Sequence, residues 1–378
     1  MRNSRLTSAI LSVFAVLLMT GPQAFAQKQS AGRGSTATRF EEKRQQTNSI
    51  AIAIMTSGMT CTCARFAEDI RNVVNDLRPG GLRVLPILGV GGLQNLNDVL
   101  FLNNVDMGVV DQDNIALLKQ KDPQLYAGLE KRVNFITKLY NSELHVLALQ
   151  EIRTFADLKG KRVSFNLKNS QTEVTADRVF NMLNLQVDRQ YYDVDTAISK
   201  LLKGEIAAAM MLTGAPQSAA AKLKSTDGLH FLSLDDASVP GYSLAPVFAE
   251  YLPGELTHDV YPNLIPPGAP VQTIVNRAML ATYAWPENSG QYRKVAHFVT
   301  EFFNKIDCFK ESGRHPKWRE INLWTDMPGW TRFKPAAEWL AAHRAGTAGA
   351  TSATCPGSFS PPPVAAIQQA ADPSRATK

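Results

Sequence analysis

Residues 155–185 read FADLKGKRVSFNLKNSQTEVTADRVFNMLNL, and this stretch decides the fold that we predict. After a turn at Gly160, apolar residues form a short strand pattern over 163–167. Residues 170–173 then have the Ser-x-x-Glu spacing of a capping box, in which a hydroxyl and a carboxylate satisfy free N–H groups at a helix start. We therefore predict a strand, a loop and a helix that begins at Gln171, which is a building unit of α/β sheets.

The loop before this helix is a candidate ligand site. The first N–H groups of a helix have no partner within the helix, and the helix dipole is positive at that end, so the position suits a carboxylate or another anion. The sequence thus predicts anion contacts at Ser170, Gln171 and Thr172, with Lys168 or Arg178 adding positive charge. A plain strand-to-helix turn without a ligand is the alternative that this pattern leaves open.

The N-terminal residues have the pattern of an export signal. Arg2 and Arg5 precede an apolar run over 9–19, and a small-residue cleavage site follows at 24–26. We predict a signal peptide over 1–26, cleavage after Ala26 and a periplasmic product. Residues 27–47 are polar and are predicted to be a flexible leader. The formal net charge of the whole chain is only +6, so no nucleic-acid partner is expected.

The order of strands and helices indicates two similar lobes. Strand, helix, strand, helix, strand patterns follow one another in the first hundred ordered residues, and a similar order returns after residue 146. We assign 48–146 and 272–345 to lobe 1 and 147–271 to lobe 2. The apolar runs at 143–149 and 271–282 would then cross between the lobes.

Four cysteines remain in the chain, namely Cys61, Cys63, Cys308 and Cys355. An even number in an exported protein favours disulfides, but the sequence leaves all three pairings open. The close spacing of Cys61 and Cys63 also suits a soft metal, yet no histidine lies nearby, so no metal site and no cofactor is predicted. Beyond residue 345 the composition is rich in Ala, Thr, Ser and Pro, which predicts a disordered tail over 346–378.

Four sequence blocks, in order, resemble the TAXI-type solute-binding proteins of tripartite ATP-independent periplasmic (TRAP) transporters. The resemblance covers about residues 49–235. Its blocks are 94–96 (QNL, similar to ENL), 106–113 (DMGVVDQD, similar to DLGIVQSD), 155–163 with 170–173 (similar to LADLKGKRV and SGT), and 197–216 (similar to ALKDGQIDA followed by AGHP).

The resemblance implies an α/β protein with the type II periplasmic-binding-protein fold, in which crossover strands join two lobes and a ligand binds in the cleft. It implies a receptor rather than an enzyme. The expected partners are a small solute, an anion or an amino acid, and the integral membrane subunits of a TRAP transporter. The pocket residues that it implies are Thr56, Ser57, Thr60, Thr62, Asn95, Gln112, Asp113, Ser170, Gln171, Thr172 and Gly214.

Two departures from the family pattern bear on the pocket. The family's GGTYY is replaced by CTCA at 61–64, so we expect an aromatic wall to be missing, and Ala215 replaces a histidine. Two other functions stay open. The first is an exported enzyme that uses the thiol of Cys61 or Cys63 with His145 or His230, and the second is a sensor or scaffold that has lost its ligand.

Overall fold

The computed structural model describes residues 31–76, 78–343 and 355. The predicted signal peptide lies outside the described residues, and so does the predicted tail over 346–378 apart from Cys355. The chain divides into two units, residues 1–48 and residues 49–378.

Helix α1 spans Ala31–Ile50, and most of it lies in the segment 27–47 that we predicted to be a flexible leader. Most of its side chains from residue 38 onward are exposed. The scarcity of apolar residues excludes a buried face but does not exclude a helix, because Gln, Glu, Lys and Arg are good helix formers. Glu41 and Arg44 also form an ion pair at 2.9 Å across one turn. The described part of this segment is therefore helical rather than irregular.

The second unit alternates strands and helices. Its strands are β1 Ala51–Met55, β2 Arg83–Ile87, β3 Met107–Asp111, β4 Val133–Leu149, β5 Arg162–Ser164, β6 Asp188–Gln190, β7 Ala208–Thr213, β8 Leu229–Phe231, β9 Leu252–Leu256 and β10 Val271–Tyr283. Its helices are α2 Thr62–Val74, α3 Gly92–Phe101, α4 Asn114–Lys121, α5 Gln171–Met182, α6 Val194–Leu202, α7 Ala245–Glu250, α8 Gly290–Asn304 and α9 Lys334–His343.

All of these strands belong to one mixed sheet, in the order β2-β1-β3-β10-β4-β7-β5-β6, with β8 beside β4 and β9 beside β10. Strands β1 to β3 are parallel and form the first lobe, and strands β5 to β7 are parallel and form the second. Strands β4 and β10 run antiparallel between them. At 17 and 13 residues they are long enough to join the two halves. The predicted α/β class with two lobes and crossover strands is thereby confirmed.

Each lobe packs helices on both faces of its part of the sheet. Strand β3 is buried at every position, as expected for a parallel strand covered on both sides. One apolar cluster of the first lobe joins α2, α8 and the aromatic residues near the C-terminal end, and a second joins α3 and α4. In the second lobe, α5 and α6 lie in separate clusters in the same way.

The aromatic-rich segment after α8 packs against the first lobe. Trp318 is fully buried and stacks on Phe66 of α2 at a ring distance of 4.0 Å. The neighbouring Lys317 forms a buried ion pair of 2.5 Å with Glu143 of β4. This segment therefore supports the crossover strand as well as the apolar core.

The four cysteines form two disulfides, Cys61–Cys63 and Cys308–Cys355. The structure thus contains the disulfides that the cysteine count favoured. It also shows which cysteines pair, which the sequence had left open. Within the described residues, no group of three or more His, Cys, Asp and Glu side chains is arranged to hold a metal ion. In the same part of the chain, no helix is both long enough and apolar enough to cross a membrane.

Candidate ligand-binding site

A cavity of about 90 Å³ lies between the two lobes. The first lobe contributes the loops that follow β1 and β2, and the starts of α2 and α3 that these loops lead into. The second lobe contributes the loop after β5 with the start of α5, and the end of β7. Open α/β sheets place ligands at the carboxyl ends of their strands, so this is the position expected of a binding site.

Six of the predicted site residues line this cavity, and both lobes contribute to them: Ser57, Thr60, Asn95, Ser170, Gln171 and Thr172. Helix α5 begins at Gln171, as predicted, and the Ser170 hydroxyl accepts a hydrogen bond of 3.2 Å from the Glu173 N–H. The Glu173 carboxylate accepts from the Asn169 N–H rather than from the capping residue itself. The predicted cap is therefore present with a shifted carboxylate contact.

The loop before α5 reaches the cavity because its backbone leaves the sheet early. Strand β5 ends at Ser164, although the apolar pattern predicted a strand up to residue 167. Asn166 and Asn169 both have positive φ angles, at 66° and 63°. Asparagine tolerates this left-handed conformation better than most residues, so the two asparagines turn the chain toward the first lobe.

The other five predicted residues do not line the cavity. The Thr56 hydroxyl donates to the Ile87 carbonyl at 3.0 Å, and the Gln112 carbonyl accepts from the Trp330 indole N–H at 2.9 Å. The remaining three, Thr62, Asp113 and Gly214, lie where the two lobes touch. Their polar atoms bond to the opposite lobe instead of facing the cavity.

Thr62 joins the start of α2 to the end of β7. Its hydroxyl donates to the Gly214 carbonyl at 2.7 Å, and the Thr213 hydroxyl donates to the Thr62 hydroxyl at 3.1 Å. A Cβ atom at Gly214 would lie 2.9 Å from the Tyr140 ring and 3.0 Å from Thr62. Only glycine therefore allows this approach, and we call these bonds the Thr62 contact.

Gln171 makes the second contact across the cleft. Its amide nitrogen donates to the Asp113 carboxylate at 3.0 Å, and its amide oxygen accepts from the Asn114 amide at 2.7 Å. A Cβ atom at Gly92 would lie 2.6 Å from the same amide oxygen. We call this the Gln171 contact. The polar end of Gln171 is thus used by the first lobe, which corrects the expectation that it serves a ligand anion.

Neither of the basic residues proposed for the anion lines the cavity. Arg178 forms an ion pair with Glu250, and the Lys168 ammonium lies 4.8 Å above the Tyr191 ring. The Thr172 hydroxyl accepts a hydrogen bond of 3.0 Å from the Leu212 N–H. Only the backbone N–H groups at the start of α5 remain to attract an anion at this end of the cavity.

Several cavity residues were missed by the sequence analysis, and the polar ones among them include Asp111, Tyr140, Ser142, Asp193, Thr213 and Gln217. Tyr140 and Ser142 alternate on β4, whose start we predicted at residue 143 rather than 133, so their side chains were not considered. Tyr140 supplies an aromatic wall from the crossover strand, although the loss of GGTYY had predicted that the wall would be missing. Burial, with the nearby Asp111 and Glu143 charges, raises the Tyr140 pKa well above its usual range.

The charged residues that line the cavity are acidic. Among the described residues around it there are two carboxyl groups, Asp111 and Asp193, and no Lys, Arg or His. Asp193 is exposed and caps α6, because its carboxylate accepts bonds from the Thr196 N–H and hydroxyl, which lower its pKa. Asp111 is buried, and burial together with the Asp113 charge raises its pKa well above the ordinary value.

The thiol enzyme alternative has no free thiol in this structure, because Cys61 and Cys63 are bonded to each other. His145 is fully buried and contacts the Glu143 carbonyl at 2.8 Å and the Tyr261 hydroxyl at 2.7 Å. His230 contacts the Ile152 carbonyl at 2.7 Å. Neither histidine lines the cavity, and the contacts of both are to groups of the fold.

Comparison with known sequences assigns the family. A sequence profile of the NMT1-like family matches residues 77–293, more than half of the chain. The chain belongs to the NMT1-like family. The match begins in the first lobe, includes Asn95 and the start of α5, and ends in α8, so it covers parts of both lobes of this NMT1-like protein.

Solved structures with a similar course of the chain include proteins of import systems. A periplasmic transporter is 12% identical with a TM-score of 0.42, and covers 66% of this chain and 82% of its own. The alkanesulfonate-binding protein SsuA from Xanthomonas axonopodis pv. citri, bound to MOPS, is 14% identical with a TM-score of 0.40, at 72% and 82% coverage. A ligand-binding component of an ABC-type import system from Staphylococcus aureus, with zinc bound, is 10% identical with a TM-score of 0.42, at 76% and 83% coverage. At this level of similarity none of their ligands transfers to the NMT1-like protein.

Proposed function

We propose that this NMT1-like protein is the periplasmic receptor of a TAXI-type TRAP transporter. It captures a small carboxylate or amino-acid-like solute between lobe 1, residues 48–146 and 272–345, and lobe 2, residues 147–271. It then delivers the solute to integral membrane subunits. The export signal over 1–26 belongs to this proposal, because a receptor of this kind works outside the inner membrane.

The observation that supports a receptor best is the cavity enclosed by both lobes. The N-termini of α2, α3 and α5 all border it, at Cys63, Gly92 and Gln171. Positive dipole ends from both lobes, with the first N–H groups of α3 and α5, therefore converge on one small space, which suits a solute carboxylate. A pocket of this kind needs no catalytic group.

The two cross-cleft contacts support closure. The Thr62 contact and the Gln171 contact join residues of opposite lobes, and neither set of bonds survives if the lobes separate. The free energy of closure thus includes protein bonds as well as ligand bonds. A ligand that adds bonds to both lobes shifts the equilibrium further toward the closed state.

The assignment to TRAP transport rests on the four sequence blocks, and each block reaches the cleft. Asn95 lies in the first block, Asp111 in the second, the start of α5 in the third and Thr213 in the fourth. A resemblance confined to the apolar core would reflect the fold alone. This one falls on the residues around the candidate site.

Native mass spectrometry of protein released gently from the periplasm tests the receptor function. We expect the mature chain to carry one small molecule that is lost on denaturation. The matched control is the same protein unfolded, dialysed and refolded, which should recover the added mass after incubation with periplasmic extract. A folded protein that has the mass of the bare chain in both experiments would contradict the proposal.

A further inference from the structure

Five carboxyl side chains are buried in the described part of the chain, and four of them have donors. Asp69 accepts from the Trp318 indole at 2.9 Å, Asp98 from the Gln94 amide at 2.9 Å, and Asp106 from the Lys294 ammonium at 2.6 Å. Glu143 pairs with Lys317. Burying a carboxyl group without a partner costs free energy, because the group loses its hydration. These donors are therefore expected at the four buried carboxyl groups.

Asp111 is the exception. It is 8% exposed, and among the described residues no donor or cation lies within bonding distance of its carboxyl group. It stands at the end of β3, two residues after Val109, so both side chains point to the same face of the sheet and both line the cavity. Within the described parts of the chain, the charge that acts on it strongly is that of Asp113, which has the same sign.

Asn95, which also lines the cavity, has a second buried acceptor without a partner. Its amide nitrogen donates to the Val109 carbonyl at 2.7 Å and approaches the Met55 carbonyl at 3.5 Å, which fixes the orientation of the amide group. Its amide oxygen therefore points away from both carbonyls. This oxygen is buried and has no hydrogen-bond partner, although the residue lines the cavity and is fully buried.

We propose that Asp111, on the cavity wall that Asn95 also lines, forms a subsite for a cationic amine of the bound solute. The ligand is then a small zwitterion or a cation, with any carboxylate at the helix N-termini and its ammonium against Asp111. This inference rests on the proposed receptor function and narrows its substrate class. Net-anionic solutes such as dicarboxylates are excluded, because the cavity offers them no basic side chain and places them beside a buried carboxyl group.

The physical reason is that a ligand ammonium group and the Asp111 carboxylate are complementary in charge and in hydrogen bonding. An ammonium group carries three N–H donors, and the cavity wall offers the carboxylate oxygens of Asp111, which have no donor of their own. Burial and the Asp113 charge raise the pKa of Asp111, so the ionised carboxylate is destabilised in the ligand-free protein. An amine in the cavity supplies the missing opposite charge and returns Asp111 to its ionised form.

Calorimetric titration with matched probes tests the subsite. The probes are L-alanine against propionate, 4-aminobutyrate against butyrate, and succinate as a dianion. We expect at least one amine-bearing probe to bind about tenfold or more tightly than its partner without the amine, and succinate to bind no better than propionate. Asp111→Asn should remove this preference, whereas Asp236→Asn, an exposed acid outside the cavity, should keep it.

Each other outcome is decisive. If propionate or butyrate binds as tightly as its amine-bearing partner, the subsite is wrong and the receptor function stands. If none of the five probes binds, the subsite fails, and native mass spectrometry of the purified protein decides the receptor function separately. The melting temperature of the ligand-free Asp111→Asn protein gives a separate readout, which should match or exceed that of the wild type. A fall of several degrees would mean that the carboxyl group serves the fold, and would overturn the subsite.

Discussion

Thr172 lies at the centre of the candidate site, yet its hydroxyl serves the fold. It accepts from the Leu212 N–H at 3.0 Å, so Thr172→Ala leaves this partly buried donor unpaired. We expect Thr172→Ala to lower the free energy of unfolding by about 1–3 kcal/mol, whereas Thr172→Ser keeps the bond. Urea unfolding followed by circular dichroism measures both. Equal stability of the two variants would mean that the hydroxyl is free for a ligand.

His145 gives a second prediction at the scale of one residue. Burial lowers its pKa from 6.5 to about 4, and the Lys317 charge adds to this effect, although the Glu143 and Met211 backbones oppose it. Tyr261 and Phe231 are its other neighbours, and neither is charged near neutral pH. The unfolded chain thus binds a proton more readily than the folded chain between pH 6.5 and 4. Stability from the neutral ring is complete above pH 6.5 and decreases as the pH falls toward 4.

The size of this effect is about 3 kcal/mol for a pKa difference of this magnitude. The measurement is the difference in unfolding free energy between the wild type and His145→Gln from pH 8 to pH 4, because the difference cancels the other titrating groups. We expect the wild type to lose stability relative to the variant below pH 6.5. A gap that stays constant over this range would show that His145 is not buried in the neutral form.

At the scale of the element, the sequence predicted the strands and helices that carry a local pattern. The capping residues before α5 and the short apolar runs at β1, β2, β3 and β7 are such patterns, and the structure places those elements within a few residues. The start of β4 was predicted ten residues too late, since a strand buried on both faces has no alternation to mark its beginning. Tyr140 was missed for this reason.

Contacts between the lobes could not be predicted, because they depend on where two distant elements meet. Gln171 and Asp113 are 58 residues apart, and no local pattern distinguishes a side chain that binds a ligand from one that binds the opposite lobe. Asp111 was missed on similar grounds. A single acid at a strand end is unremarkable until the structure shows that no donor reaches it.

The Gln171 contact predicts an effect on affinity without a ligand contact. Gln171→Ala removes two bonds across the cleft, so the closed state should lose about 1–2 kcal/mol. We expect the affinity for the co-purifying solute to fall by about 5- to 30-fold, measured by calorimetry. Gln186→Ala, an exposed residue outside the cavity, is the matched control and should bind as the wild type does. Unchanged affinity in both variants would mean that this contact does not hold the lobes together.

The disulfide at the start of α2 should act through the Thr62 contact. Cys61 caps the helix, since its sulfur accepts from the Cys63 N–H, and Thr62 lies between the two cysteines. We expect the double variant Cys61→Ser with Cys63→Ser to bind solute about 2- to 10-fold more weakly, as the loss of about one hydrogen bond implies. The double variant Cys308→Ser with Cys355→Ser removes the other disulfide, and its affinity should be unchanged. If the Cys308/Cys355 variant lost more affinity than the Cys61/Cys63 variant, the disulfide near the C-terminal end would be the one that affects solute binding.

At the scale of the whole molecule, the cavity, the cross-cleft contacts and the two long shared strands are the features that the proposed hinged closure requires. Strands β4 and β10 are continuous through both lobes, so bending where they cross changes the width of the cleft while each apolar cluster stays intact. Hinged closure on a ligand is a known mode of motion for two-lobed proteins. The proposed receptor function requires the two lobes to close in this way.

Pulsed electron paramagnetic resonance between spin labels on the two lobes measures the closure directly. Gln124→Cys on the first lobe and Gln186→Cys on the second are both exposed, and the four native cysteines are already paired. Without solute we expect a broad distribution of distances between the labels. With saturating solute we expect one narrow, shorter distance, and with Gln171→Ala a return toward the broad distribution. A distribution that stays the same while calorimetry reports saturated binding would contradict the account.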